Sequence, residues 1–283
     1  MAQKKITDLQ LRDNVSDSLN FPSDDTVQSY RVTAEQIKNY ILSALSISTA
    51  MLQNLAVTAE KIASGAVTDA KTSFTPPTVQ IFTSGSGTYT RPSGVKYIRV
   101  KMAGGGGGGG GGASGTAATS GGASTFGTSL LTANGGTGGS NASTSAFGGA
   151  GGTVTVNSPA INLGSLLGQT GGPGQPQSTY AMGGAGGSTF IGPGGAGNAN
   201  AIGENATSNS GGGGGGGGAT TGGVINAGHG GGSGGMIEAL IVNPDASYAY
   251  AVGAGGAGRA AGTNGYNGGN GGSGVIIVTE YYQ

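Results

Sequence analysis

Apolar and polar positions change their spacing twice along this chain. Ile37, Ile41, Ala44 and Leu45 recur at helical intervals, and Thr33 with Gln36 three residues on forms a capping box, so a short helix is expected over about 33–47. Before it, Leu9, Leu11, Val15, Leu19 and Phe21 follow no clean period, and Phe21-Pro22-Ser23-Asp24-Asp25 is a turn signal, so residues 1–32 read as an irregular arm. After it, Ala56-Val57-Thr58-Ala59-Glu60-Lys61 is echoed by Ala66-Val67-Thr68-Asp69-Ala70-Lys71. A weak repeat of this kind suits a shaft wound with copies of itself, and equally a solvated linker. From Val79 the period becomes two. Segments 79–83, 88–90, 95–102 and 274–282 alternate and are joined by tight turns, which predicts an antiparallel sheet with the last segment paired to 95–102. Shorter β-prone stretches lie at 124–131, 153–156, 161–167, 236–242 and 249–252. The predicted organisation is an attachment segment at 1–50, a shaft or linker at 51–78, and a mainly β domain at 79–283.

Composition changes that picture. Sixty-six of the 283 residues are glycine, and none is cysteine or tryptophan. Nine glycines run without interruption over 104–112 and eight more over 211–218. One reading is a flexible linker, the usual meaning of unperiodic glycine richness. The other is an extended threefold helix, rising about 3.1 Å per residue, so that nine residues span about 28 Å. Such helices carry no Cβ, pack side by side and bond laterally through backbone groups. The β-prone segments between the runs favour the ordered reading, because a disordered tail has no use for them. Collagen is excluded because no strict Gly-x-y period is held. A phosphate-binding loop fits poorly, because neither run is followed by Lys-Ser or Lys-Thr.

Charge narrows the partners. Eleven of the twelve Lys and Arg lie at or before Lys101, and after it only Arg259, Glu204, Glu238, Asp245 and Glu280 are charged. The glycine-rich part therefore lacks the clustered cations that nucleic acid or anionic lipid requires. Basic Lys4 and Lys5 are not followed by an apolar core, so no secretory signal peptide is expected, and no stretch of eighteen apolar residues predicts a membrane span.

Residues Phe82-Thr83-Ser84-Gly85-Ser86-Gly87-Thr88-Tyr89-Thr90, then Arg91-Pro92-Ser93-Gly94-Val95 and Ile98-Arg99-Val100 ahead of polyglycine, resemble the opening of the glycine-rich domain of phage tail-fibre and receptor-binding tip proteins. Ser124-Thr125-Phe126-Gly127 with Ala133-Asn134-Gly135-Gly136-Thr137-Gly138-Gly139, then Tyr250-Ala251-Val252-Gly253-Ala254-Gly255-Gly256, and the closing Gly274-Val275-Ile276-Ile277-Val278 are similar to that family's later blocks. Residues 1–78, with Ile6-Thr7-Asp8-Leu9 and Arg31-Val32-Thr33-Ala34-Glu35-Gln36-Ile37, resemble the attachment and shaft segment of tail-fibre proteins. The resemblance implies an elongated homotrimeric fibre on a virion or a bacterial surface, since predatory bacteria carry related tips. A larger fibre component would hold the N-terminus, and a glycine-rich, β-sandwich-like tip with extended polyglycine segments would recognise a cell-surface glycan or outer-membrane protein. It transfers no fixed binding residues.

Tyr180, and Tyr266 between Asn264 and Asn267, stand in glycine loops with no core pattern around them. Aromatic faces beside amides suit sugar rings or protein loops, and an equally weighted reading makes the tyrosines small caps on the glycine layers. His229, the single histidine, is read as a surface contact or a solvated loop residue. Alone it builds neither a metal site nor a nucleophilic triad. Nothing in the context of Glu204, Glu238, Asp245 and Glu280 pairs two of them for glycoside hydrolysis. The sequence thus predicts a non-enzymatic protein with no catalytic residues, metal or cofactor. Phe126, Phe147 and Phe190 are expected to pack internally.

Overall fold

The computed structural model describes residues 18–20, 31–33, 35, 38, 39, 62, 64, 75–113, 117–140, 147–177, 179–220 and 226–283. The chain divides into two units, Met1–Thr72 and Ser73–Gln283. In the first, β1 (Ser18–Asn20) pairs antiparallel with β2 (Arg31–Thr33), with Leu19 opposite Val32. The arm is therefore not irregular throughout: residues 18–20 and 31–33 form a short ladder. Glu35, Lys38 and Asn39 are helical, while the rest of the helix expected at 33–47 and most of the repeat at 51–74 lie outside the described residues.

The second unit is mainly β, with antiparallel sheets. Its first five-stranded sheet runs in the order β3 (Thr78–Phe82), β14 (Val275–Tyr281), β5 (Tyr97–Ala103), β12 (Met236–Val242), β9 (Ile161–Leu166). The other runs β4 (Ser86–Thr90), β13 (Ser247–Ala251), β6 (Ser124–Phe126), β7 (Leu131–Ala133), β8 (Val154–Val156). As the alternation predicts, β14 pairs along the whole of β5, from Val275 opposite Ala103 to Tyr281 opposite Tyr97.

The period of two decides what lies between the sheets. Ile98, Val100 and Met102 of β5, Ile237, Ala239 and Ile241 of β12, and Ile276 and Val278 of β14 are buried against Tyr89, Phe126, Leu131 and Tyr248 of the second sheet. The Phe126 and Tyr248 rings stack at 5.0 Å. Glu280 is buried among them, and its carboxylate accepts from Gln80 Nε2 (2.7 Å), Tyr89 Oη (3.1 Å) and Thr78 Oγ1. It thereby joins β3 and β14 to β4 of the facing sheet. Burial, then the neighbouring Glu280 charge, pushes the Tyr89 phenol above its ordinary range.

Strands β5 and β12 are continuous with the glycine segments, and the backbone bonds of those segments repeat every three residues. The amides of Gly104, Gly107, Gly110 and Ala113 donate to the carbonyls of Gly235, Gly232, His229 and Asn226. Those of Gly105 and Gly108 donate to Gly122 and Thr119, and those of Gly106, Gly109 and Gly112 to Gly272, Gly269 and Tyr266. In return, row 104–112 accepts from Gly136 and Gly139, from Gly256, Arg259 and Gly262, and from Gly214 and Gly217. A helix with three residues per turn presents three faces, and here every face meets backbone. The row is thus enclosed by six others. Rows 211–218 and 228–235 are buried along their whole length in the same way.

Close approach explains the composition. A Cβ on Gly106, Gly109 or Gly112 would overlap the carbonyl oxygen of Gly212, Gly215 or Gly218, and one on Gly107 or Gly108 would overlap that of Thr137 or Ala257. Outer rows turn one face to solvent and so allow a side chain at every third position, as Ala254 and Ala257 or Asn267 and Asn270 show. Uninterrupted glycine marks an enclosed row, and Gly-Gly-x marks an outer one.

Candidate functional site

Because β5 enters row 104–112 at Gly104, and row 228–235 leaves into β12 at Gly235, the other end of the rows lies away from the sandwich. Near it lie residues 113, 175–177, 179–182, 198–202, 219–220 and 260–266. Backbone bonds hold them together. In β10 (Tyr180–Ala181), Tyr180 pairs with Thr220 of β11 (Ala219–Thr220). The Thr220 amide and hydroxyl donate to the Asn264 carbonyl at 2.9 and 3.2 Å. Tyr266 N–H donates to Gly218 at 2.9 Å, and Met182 bridges to both Gln175 and Ala199.

Tyr180, Tyr266 and Asn264, far apart in sequence, are thus on adjoining loops. Both tyrosines are partly buried and Asn264 is exposed. Asn267 lies outside this cluster, on an outer row, and its carboxamide oxygen accepts from Ala261 N–H at 2.9 Å. Exposed Met182 and Ile202 (61% exposed) join the surface. The sequence reading missed both, although each lies just beyond a row, where a side chain has no glycine lattice to enter. Ala113, Asn200 and Asn264, also on these loops, adopt left-handed backbone with φ of 51°, 53° and 66°. Such conformations persist only where surrounding structure over-determines them.

His229 is not a surface residue. It occupies an enclosed row, is 1% exposed, and accepts a bond from Gly174 N–H on Nδ1 at 2.9 Å. Burial lowers its pKa below the ordinary imidazole value. It escaped the sequence reading because a polar residue amid glycines looks like a loop, whereas here it replaces the glycine on one face of a row.

Two phenylalanines also depart from expectation. Phe126 is in the core, but Phe147 is 74% exposed on the outward face of row 147–152, and Phe190 lies on the outer face of the first sheet with Lys101 Nζ 5.2 Å from its ring centre. The four carboxylates are dispersed: Glu204 on a lattice loop, Glu238 beside Arg99 and Lys101 on the sheet's outer face, Asp245 in the β12–β13 turn and Glu280 in the core. Among the described residues no three His, Cys, Asp or Glu gather as a metal site. At the opposite end of the sandwich, a cavity of about 520 Å³ is bordered by Ser129, Asn157, Pro159, Asp245 and Tyr248.

No protein-family profile and no curated protein sequence matches the chain.

Proposed function

We propose that the protein is a non-enzymatic receptor-recognition fibre, an adhesin, that binds a cell-surface glycan or outer-membrane protein through the loops at the far end of its glycine rows. The observation that carries this reading is the meeting of Tyr180, Met182, Ile202, Asn264 and Tyr266 on loops anchored to the ends of stiff, laterally bonded rows. Partly exposed aromatic and apolar groups beside amides offer a sugar or a protein loop apolar contact and directional bonds. Anchoring them on a rigid body lowers the ordering cost of binding. Homotrimeric assembly, with the first unit attached to a larger fibre or particle, is part of the proposal, because three weak sites on one fibre gain avidity.

The test is cell binding by labelled full-length protein across a panel of outer-membrane-bearing bacteria. Tyr180→Ala combined with Tyr266→Ala is expected to abolish binding without lowering the melting temperature, and unchanged binding would rule out these loops. A purely structural fibre or baseplate role is the second reading. It is favoured by the internal use of the Asn267 and Asn270 carboxamides on Ala261 and Gly258.

A further inference from the structure

We propose that His229 is an acid-sensitive latch, holding the N-terminal limb of the loop that carries Tyr180 onto the glycine rows while its imidazole is neutral and releasing that limb when it is protonated. Residues 175–182 are closed at their base by paired backbone bonds between Gln175 and Met182, at 2.7 and 2.9 Å. The residue just before this closure, Gly174, gives its amide to no backbone carbonyl among the described residues. It donates instead to His229 Nδ1 at 2.9 Å. Gly172, two positions earlier, is bonded to Ala185 and accepts from Gly230, so on the N-terminal limb the His229 contact is the last tie to the rows before Gln175, while the other limb is held by the pairing of Tyr180 and Ala181 with β11.

The chemistry of that tie is one-sided. An imidazole nitrogen that accepts an N–H cannot itself carry a proton, so the ring proton resides on Nε2. Nε2 is buried and has no hydrogen-bond partner among the described residues. Protonation can therefore occur only at Nδ1, where it sets a ring N–H against the Gly174 N–H and removes the bond. It also places a full charge among backbone rows. The segments around His229, residues 104–112, 134–140, 148–152, 168–174, 182–187 and 211–218, hold no titratable side chain, and desolvation alone acts on the ring. With nothing to neutralise the imidazolium, relief comes from moving the neighbour that lies nearest the lattice end, the strand through Gly174. The lattice interior, fixed by bonds on every face, has no such freedom.

The latch does not depend on the receptor reading, since it concerns the loop's attachment whatever the loop binds. Because His229 is the chain's one histidine, selective labelling of the full-length protein gives a single imidazole signal. Two readouts are followed from pH 7.5 to 4.5: that signal by NMR, and hydrogen exchange of residues 172–182 corrected for the intrinsic pH dependence. The expected result is a common midpoint below the free-imidazole value, with protection of Gly174 and Gln175 falling at least tenfold while residues 104–112 stay protected. His229→Gln, which offers a carbonyl acceptor that does not titrate, should abolish the pH dependence. Titration of the imidazole with no change in exchange overturns the proposal, as does an imidazole that stays neutral until the whole domain unfolds. Equal acid sensitivity in His229→Gln also overturns it, and if that variant fails to fold, agreement or disagreement of the two wild-type midpoints decides.

Discussion

At Gly109 a single methyl group has nowhere to go, because the carbonyl oxygen of Gly215 occupies its place. At Gly164, on edge strand β9, nothing lies within 4 Å of the same position. Gly109→Ala is therefore expected to cost at least about 2 kcal/mol through overpacking, whereas Gly164→Ala should be neutral or stabilising by about 0.5–1 kcal/mol. Urea unfolding of the two variants checks the contrast, and equal effects would mean that close packing is not what selects glycine. Charge acts at the same scale. The Arg99 guanidinium, in a hydrogen-bonded ion pair, holds the Glu238 carboxyl below its usual range against an opposing desolvation. That contribution is present above the ordinary carboxylate value of 4.5 and is lost as pH falls through the lower folded value. His229, shifted down by burial, contributes fully above its ordinary 6.5 and loses that contribution as pH falls below it. The melting temperature should thus be flat from about pH 7 to 9 and fall on acidification, with the earlier part of the fall missing in His229→Gln. A melting temperature that rises between pH 7 and 5 contradicts the His229 assignment, and one that rises below pH 4.5 contradicts that of Glu238.

Among the elements, Glu280 shows how the two sheets are pinned at one edge. Glu280→Ala strands the buried Tyr89 hydroxyl and takes the acceptor from half-buried Gln80, while exposed Thr78 keeps Tyr282, and is expected to cost about 3 kcal/mol. Tyr89→Phe, which removes one donor and leaves the carboxylate its other partners, should cost about 1 kcal/mol. Denaturant titration separates them, and a Glu280→Ala effect no larger than that of Tyr89→Phe would show that the carboxylate is not the hub. The rows manage their edges differently, by turning side-chain oxygens onto amides that face no further row. Asn270 Oδ1 accepts from Gly258, Asn205 Oδ1 from Asn270, Thr119 Oγ1 from Ala257 and Gln169 Oε1 from Ser188. Strand elements were legible in the sequence because alternation reports a two-faced environment, and the β5–β14 pairing followed from the two strongest such segments. The two glycine runs were legible as rods. What could not be read was which rod lies beside which. Glycine carries no side chain to specify a neighbour, so adjacency is set by loop lengths and by the sheet that feeds each row. For the same reason the sequence could not separate Asn267, spent on a row edge, from Asn264, presented on a loop.

For the whole molecule, enclosure of rows 104–112, 211–218 and 228–235 predicts that their amides exchange only through opening of the entire second unit. Hydrogen exchange should give these rows one common, slowest rate, and fast exchange in any of them would mean the lattice breathes locally. The proposed homotrimer is checked by sedimentation of the full chain, expected at three times its 26.8 kDa mass. A monomer at micromolar concentration would remove avidity from the functional reading. The connectivity of row 104–112 has a consequence for synthesis as well. This row emerges early, yet it lies against residues 229–235 and 266–272, and β5 beside it is completed by β14. Rows 119–122 and 136–139 follow soon after it, but more than a hundred and fifty residues must leave the ribosome before the first glycine run meets the last of its partners. Completion of this domain is therefore a late event, and the nascent chain must be kept from pairing with its neighbours on a polysome until then.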